Sequence, residues 1–117
     1  MKIAYLTTDI VNPALARRWA KPLGGRVVAP RASNPAADAD AVVIDFDHLP
    51  GELQRQAVNA VLLQTERRPV LVHGHNIPEP LAEALRLRGA VTVIGCLDRR
   101  TVRRWVRKAA RRVAVAA

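Results

Sequence analysis

The stretch Asp40–Gly51, with the sequence DAVVIDFDHLPG, decides the fold of this chain of 117 residues. Its centre, Val42–Ile44, is apolar at consecutive positions, which predicts a strand buried on both faces of a parallel sheet over Ala41–Phe46. Two acids, Asp45 and Asp47, close the run. Because the carboxyl ends of parallel strands form the crevice that holds ligands, this acidic strand end is the first candidate site.

Strands and helices alternate along the rest of the chain. Four further apolar runs predict strands, at Lys2–Thr8, Arg26–Ala29, Pro69–His73 and Ala90–Gly95. Amphipathic stretches predict helices after Asn12, over Gly51–Arg68, over Pro78–Arg88 and from Asp98 to about Val113. Between the second and third strands, Pro30–Ala39 has room for at most one helical turn, so the second helix is expected to be short or absent. The alternation predicts one α/β domain over residues 1–117, with helices on both faces of a parallel sheet.

Capping residues and apolar stripes predict how the helices begin and pack. Asn12 is expected to cap the first helix, with Pro13 at its first position. Asp98 is expected to cap the last helix, where its charge also suits the positive helix terminus. The residues expected to face the core are Leu15, Trp19 and Leu23, then Leu81, Ala84, Leu85 and Leu87, and finally Val102, Trp105, Val106, Ala109, Ala110 and Val113.

The cysteine content and the N-terminus indicate the compartment. Cys96 is the only cysteine, so no disulfide can form within the chain. It has no base or charged partner nearby in sequence, which predicts a buried, inert thiol. Met1–Leu6 is too short and too soon followed by Asp9 to be a signal peptide. No apolar run approaches the ~18 residues of a membrane-spanning helix, and we expect a cytoplasmic protein.

Positive charge is concentrated in the last predicted helix. The net charge is +9 at pH 7, and residues 99–112 contain eight of the nineteen Lys and Arg residues and no acid. At i, i+4 spacing these side chains form two adjacent rows of like charge, which predicts a solvated outer face or a surface for an anionic partner. We call this element the basic helix; its basic residues are Arg99, Arg100, Arg103, Arg104, Arg107, Lys108, Arg111 and Arg112.

Three segments match the pattern of a known family. They are Asp40–Gly51, the strand Arg68–Val72, and Leu85–Ala90 leading into Val91–Val93, with the basic helix following in the corresponding place. Together with the alternation of elements, they make the whole chain resemble a bacterial response-regulator receiver domain, which has a flavodoxin-like fold. The resemblance implies a three-layer α/β sandwich with a five-stranded parallel sheet in the order 2-1-3-4-5.

The resemblance also implies functional positions at the strand ends. Receivers hold Mg²⁺ with two acids after the first strand, and this position reads Thr7-Thr8-Asp9 here, so only Asp9 remains in the acidic pocket. The aspartate that accepts phosphate after the third strand corresponds to Asp45 or to Asp47, and Asp45 matches better by its position in the strand.

The other positions that a receiver uses are replaced. The Thr or Ser after the fourth strand is His73, the lysine after the fifth strand is Gly95, and the proline that follows it is Cys96. A phosphoryl transition state needs cations to balance its oxygens, so losing the lysine and one metal ligand weakens transfer assisted by Mg²⁺. The resemblance therefore implies a degenerate receiver, or pseudo-receiver, that is not an enzyme, has impaired or absent phosphorylation, and uses no cofactor except Mg²⁺, which it could bind only weakly.

A metal or ligand site at the strand ends is an alternative. Residues i and i+2 of a strand face the same side, so His73 and His75 could converge, and so could Asp45 and Asp47. With Asp9 nearby, the three aspartates are candidate ligands for a divalent ion in a small metal- or ligand-binding protein. No CxxC or HExxH spacing supports this alternative, and solvated loop histidines are the favoured interpretation.

The basic helix is the candidate surface for a partner. In receivers the corresponding helix belongs to the face used for dimerisation and docking, so the resemblance implies an acidic protein partner or a second copy of the chain. A basic nucleic-acid-associated protein that uses Arg99–Arg112 is the alternative. It is less favoured, because Trp105 falls on the apolar side and leaves no aromatic ring on the exposed face to stack on bases.

Overall fold

The strands form one parallel sheet in the order that the resemblance implied. The computed structural model describes residues 1–28, 38–49, 51–52, 55, 59 and 67–116. Within them the sheet order is β2-β1-β3-β4-β5 and every pairing is parallel. The strands are β1 (Lys2–Leu6), β2 (Arg26–Val28), β3 (Ala41–Asp45), β4 (Val70–Gly74) and β5 (Val91–Ile94). The predicted α/β class and strand order are therefore confirmed.

Three helices are described over their full bounds, and the described residues Gly51, Glu52, Arg55 and Asn59 are also helical. The three helices are α1 (Val11–Ala20), α2 (Glu79–Leu87) and α3 (Arg99–Ala116), and short 3-10 turns occur at Lys21–Leu23 and Phe46–His48. Most of the helix predicted over Gly51–Arg68 lies outside the described residues, as does most of Pro30–Ala39, where a short or absent helix was expected. None of the described helices is both long enough and apolar enough to span a membrane.

The two sheet faces bury separate apolar clusters. On one face Tyr5 and Leu71 pack with Ala16 of α1 and with Trp105 and Val106 of α3. The opposite face is covered by α2; its cluster comprises Val42, Ile44, Phe46, Val70, Val72, Ile77, Ala82, Leu85 and Ala90. Every residue of β3 and β4 is buried, as expected for the central strands of a sheet covered on both faces. Asp45 pairs with His73 in the register, which places both at the carboxyl end of the sheet.

The first helix begins differently from the prediction. It starts at Val11, with Ile10 as the N-cap residue, and the carboxylate of Asp9 accepts the backbone N–H of Asn12 at 2.8 Å. The expectation that Asn12 caps the helix was wrong, because Asp9 already supplies the acceptor and Asn12 lies within the first turn. The fully buried positions of α1 are Pro13, Ala16 and Ala20, whereas Leu15, Trp19 and Leu23 are only half-buried.

The other two helices follow their predicted faces more closely. Leu85 is buried, but Leu87 is 83% exposed and its expected inward position was wrong, because α2 ends there and the chain turns away at Gly89 with φ of 92°. Asp98 caps the basic helix as predicted, accepting the backbone N–H of Thr101 at 2.7 Å. The predicted apolar face of this helix is confirmed, with Val102, Trp105, Val106 and Ala109 buried and Ala110 and Val113 half-buried.

Candidate functional site

Asp45 lies at the centre of the crevice, as the last residue of β3 and only 1% exposed. Three side chains converge on its Oδ2 atom. The hydroxyl of Thr7 donates at 2.9 Å, the ring Nδ1 of His48 lies at 2.9 Å, and the side-chain amide of Asn12 donates at 3.3 Å. The protein itself therefore solvates this carboxylate, with donors from the loop after β1, from α1 and from the turn after β3.

His48 is the charged partner of Asp45. Its hydrogen bond to Asp45, and then the charge of that carboxylate, raise the pKa of the His48 imidazole above 6.5. The turn that carries His48 is tied to the loop after β1, because the backbone N–H of Thr8 donates to the His48 carbonyl at 2.9 Å and its hydroxyl at 2.7 Å. The His48 imidazole, which can carry a positive charge, is thus held at the place where the aspartates of the crevice would otherwise attract a cation.

The three aspartates proposed as metal ligands do not form one cluster. Asp9 caps α1, and the backbone N–H of Asn12 is the main cause that lowers the pKa of Asp9. Asp45 has its Oδ2 saturated by protein donors, and Asp47 faces the loop after β4. Among the residues that the structure describes, no group of three His, Cys, Asp or Glu side chains could hold a metal ion. The donor set does not fit Mg²⁺, and the predicted metal site is not supported.

Asp47 holds the loop that follows β4. Its carboxylate accepts the backbone N–H of His75 at 2.6 Å and that of Asn76 at 3.0 Å, and it lies 3.3 Å from Nδ1 of His75. Partial burial raises the pKa of Asp47, but these hydrogen bonds outweigh it and the net shift is downward. The Asp47 carboxylate can lie this close to β4 because residue 74 is glycine. A Cβ atom at that position would lie 2.8 Å from Oδ1 of Asp47.

His73 is buried beside Asp45 and is paired with Tyr5. Its Nε2 lies 2.5 Å from the Tyr5 hydroxyl, and the two rings meet edge to face with centroids 5.7 Å apart. Burial raises the pKa of Tyr5 and lowers that of His73, so the phenol keeps its proton and donates it to a neutral imidazole. The prediction of solvated loop histidines was therefore wrong for His73, which is 3% exposed because it still belongs to the buried strand.

Cys96 is exposed and has a histidine partner. Its Sγ lies 3.6 Å from Nε2 of His75, whose side chain is 62% exposed. The prediction of a buried thiol without a base was wrong, because the base follows β4 while the cysteine follows β5. The two loops are joined where the backbone N–H of Gly95 donates to the carbonyl of Gly74 at 3.0 Å.

The basic helix presents its charges outward. Seven of its eight basic residues are exposed, and Arg103 is half-buried. The Nε atom of Arg103 is buried and has no hydrogen-bond partner among the described residues. Trp105 is 5% exposed, so its ring belongs to the core and the exposed face carries charge without an aromatic ring.

Solved structures share the fold of this chain. A response regulator receiver protein from Pseudoalteromonas atlantica is 12% identical over 95% of this chain and 98% of that one, with a TM-score of 0.72. A signal receiver domain from Vibrio parahaemolyticus is 11% identical, with a TM-score of 0.77 over 98% of this chain and 93% of that one. A receiver domain protein from Clostridium thermocellum is 15% identical, with a TM-score of 0.72 over 99% and 98% of the two chains. No family model and no curated protein sequence matches the chain.

Proposed function

We propose that this chain, which has the fold of a response-regulator receiver domain, is a degenerate receiver that acts by binding a protein partner and not by accepting phosphate. The observation that carries the proposal is the state of Asp45. The carboxylate in the position of the phosphate acceptor is 1% exposed, and its Oδ2 already accepts hydrogen bonds from Thr7, Asn12 and His48.

The groups that would assist phosphoryl transfer are engaged elsewhere or missing. Asp9 accepts the backbone N–H of Asn12 at the start of α1, and among the residues that the structure describes no group of three acids, histidines or cysteines could hold a divalent ion. The end of β4 carries His73, whose Nε2 is paired with Tyr5, and β5 ends at Ile94 before Gly95, which has no side chain to supply a cation. Transfer of a phosphoryl group depends on cations that balance its oxygens, and Gly95 stands where receivers place the lysine that supplies one of them.

We expect no phosphorylation of this chain by small phosphodonors. The test is incubation with acetyl phosphate, or with beryllofluoride, in the presence of Mg²⁺, followed by intact-mass measurement and by the fluorescence of Trp19 and Trp105. On incubation, neither the wild-type chain nor the Asp45→Asn variant should gain the mass of a phosphoryl group or change its fluorescence. A phosphoryl adduct on the wild-type chain that is absent from Asp45→Asn would overturn the proposal.

The basic helix is the proposed contact surface, and an acidic protein is the proposed partner. Its exposed arginines and lysine stand on a helix held firmly to the core by Val102, Trp105 and Val106, so they form a fixed array of positive charge. Recognition of single-stranded nucleic acid relies on stacking against exposed aromatic rings, and the one ring of this helix is buried. Carboxylates suit arginine because they accept two parallel hydrogen bonds from its planar head group.

Reversing charges on the basic helix should abolish partner binding. We compare the wild-type chain with Arg104→Glu/Lys108→Glu in a pull-down from nuclease-treated lysate, followed by titration with the purified partner. The control is Arg18→Glu/Arg88→Glu, which changes the net charge equally at two exposed sites outside this helix. Affinity should fall at least about tenfold only for the helix variant, because like charges facing each other cost several kcal/mol. Equal loss in both variants, or retention of duplex DNA at physiological salt, would argue against a protein partner.

A further inference from the structure

We propose that Cys96 is a modification site that reacts with hydroperoxides, with His75 as the base and Asp47 as the positioning residue. The three side chains form a chain of contacts across three neighbouring strand ends. Asp47 lies 3.3 Å from Nδ1 of His75, and Nε2 of His75 lies 3.6 Å from Sγ of Cys96. None of these three residues serves the proposed docking of a partner on the basic helix.

The geometry fixes which ring nitrogen faces the sulfur. A carboxylate only accepts hydrogen bonds, so the contact with Asp47 places the ring proton on Nδ1 of His75. In the neutral ring, Nε2 is then the nitrogen that faces Sγ and can accept the thiol proton. The Asp47 carboxylate therefore orients the His75 ring from one side, and the ring faces the thiol with its other side. A base that is oriented in this way by a third group activates nucleophilic thiols.

The backbone around the three residues holds this geometry in place. Asp47 binds the backbone N–H groups of both His75 and Asn76, so the carboxylate is fixed before it meets the ring. The hydrogen bond from Gly95 to Gly74 aligns the residues that follow, Cys96 and His75. Gly95 has φ of 126°, a conformation that a side chain would disfavour, and it directs the chain from β5 into this loop.

The exposure of the Cys96 thiol and the reactivity of sulfur together indicate the class of substrate. The thiol is exposed and His75 is 62% exposed, so a small molecule reaches the sulfur without opening the fold. The sulfur attacks the distal oxygen of the hydroperoxide, an S–O bond forms and the O–O bond breaks, so the sulfur is oxidised by two electrons and the peroxide is reduced. The leaving alkoxide or hydroxide takes the proton held by His75, which yields a sulfenic acid and an alcohol or water.

The test is the rate of sulfenic acid formation with hydrogen peroxide at pH 7, trapped with dimedone and measured by intact mass. Because His75 takes the thiol proton as the sulfur attacks, the wild-type chain should react at least about 10-fold faster than the urea-unfolded chain. His75→Gln should lose this advantage, and Cys96→Ser should not react. Arg18→Gln is the control, because Arg18 is an exposed residue of α1 outside these three strand ends and its substitution should leave the rate unchanged.

The Asp47→Asn variant distinguishes the orientation of the His75 ring by Asp47 from a general loosening of the loop. With no carboxylate behind the His75 ring, Asp47→Asn should react more slowly at pH 7 and Asp47→Glu should keep most of the wild-type rate, whereas a change that only loosened the loop would slow both variants alike. Circular dichroism confirms that each variant is folded before its rate is compared. A wild-type rate equal to that of the unfolded chain, or an unchanged rate in His75→Gln, would overturn the proposal.

Discussion

Replacing Trp105 with alanine is expected to lower the free energy of unfolding by about 3–5 kcal/mol, the usual cost of truncating a buried aromatic side chain. Trp105 is 5% exposed and packs in the cluster that joins α1, the sheet and the basic helix. Its removal leaves a cavity at the contact between the two helices that cover this face. Urea denaturation followed by far-ultraviolet circular dichroism measures the loss.

The control lies one turn further along the same helix. Lys108 is exposed, and Lys108→Ala should change the free energy of unfolding by no more than about 0.5 kcal/mol. The comparison separates the loss of packing from any general effect of substitution in the helix. A loss below about 1 kcal/mol for Trp105→Ala would mean that the basic helix is not anchored by this ring, since a fully packed aromatic costs several times more to remove.

Replacing His73 with alanine is expected to cost about 2–4 kcal/mol, because it opens a cavity and leaves the Tyr5 hydroxyl buried without its acceptor. His73 is 3% exposed, and its Nε2 is the partner that the structure gives to that hydroxyl. Tyr5→Phe removes the hydroxyl that His73→Ala leaves unpaired. Its cost in free energy of unfolding should therefore be smaller in the His73→Ala variant than in the wild-type chain. Purely additive losses in this double-mutant cycle would contradict the pairing.

The cost of His73→Ala should also depend on pH. Burial lowers the pKa of His73 below 6.5 in the folded chain, so the unfolded chain binds this proton first as the pH falls. Neutral His73 thus contributes its full stability above pH 6.5, and the contribution is lost as the pH falls below that value towards the lowered pKa. The difference in unfolding free energy between the wild type and His73→Ala should shrink between pH 7 and pH 5. His48, whose pKa is raised, acts in the opposite direction in both chains.

The apolar runs and helix stripes predicted the α/β class, and the resemblance to receiver domains implied the strand order. Local hydrogen bonds could not be predicted in this way. The consecutive apolar residues of β1, β3 and β4 indicated buried parallel strands, because only burial on both faces favours such runs. The start of α1 was misplaced because Asn12 and Asp9 are both good capping residues, and only the path of the chain after β1 decides between them. Leu87 was misplaced because periodicity does not show where a helix ends.

The partners within the site could not be predicted, since they come from distant parts of the chain. Sequence reasoning found Asp45, His73 and Cys96 but not Tyr5, which meets His73 across 68 positions. The contact between Cys96 and His75 joins loops 21 positions apart, so neither residue signals the other in sequence. In the sequence, Thr7 stood out only because it lies where a receiver has a metal-binding acid. Only the structure shows that its hydroxyl binds Asp45.

The packing of α1 against the basic helix on one face of the sheet affects how the chain emerges from the ribosome. Translation delivers the apolar surface of Ile3, Tyr5 and Ala16 early, whereas its cover, Val102–Ala109, is made after all five strands of the sheet. This half of the core therefore stays accessible to chaperones or to aggregation until the basic helix has left the ribosome. Variants that weaken the basic helix should consequently reduce the soluble yield in cells more than their stability measured in vitro would suggest.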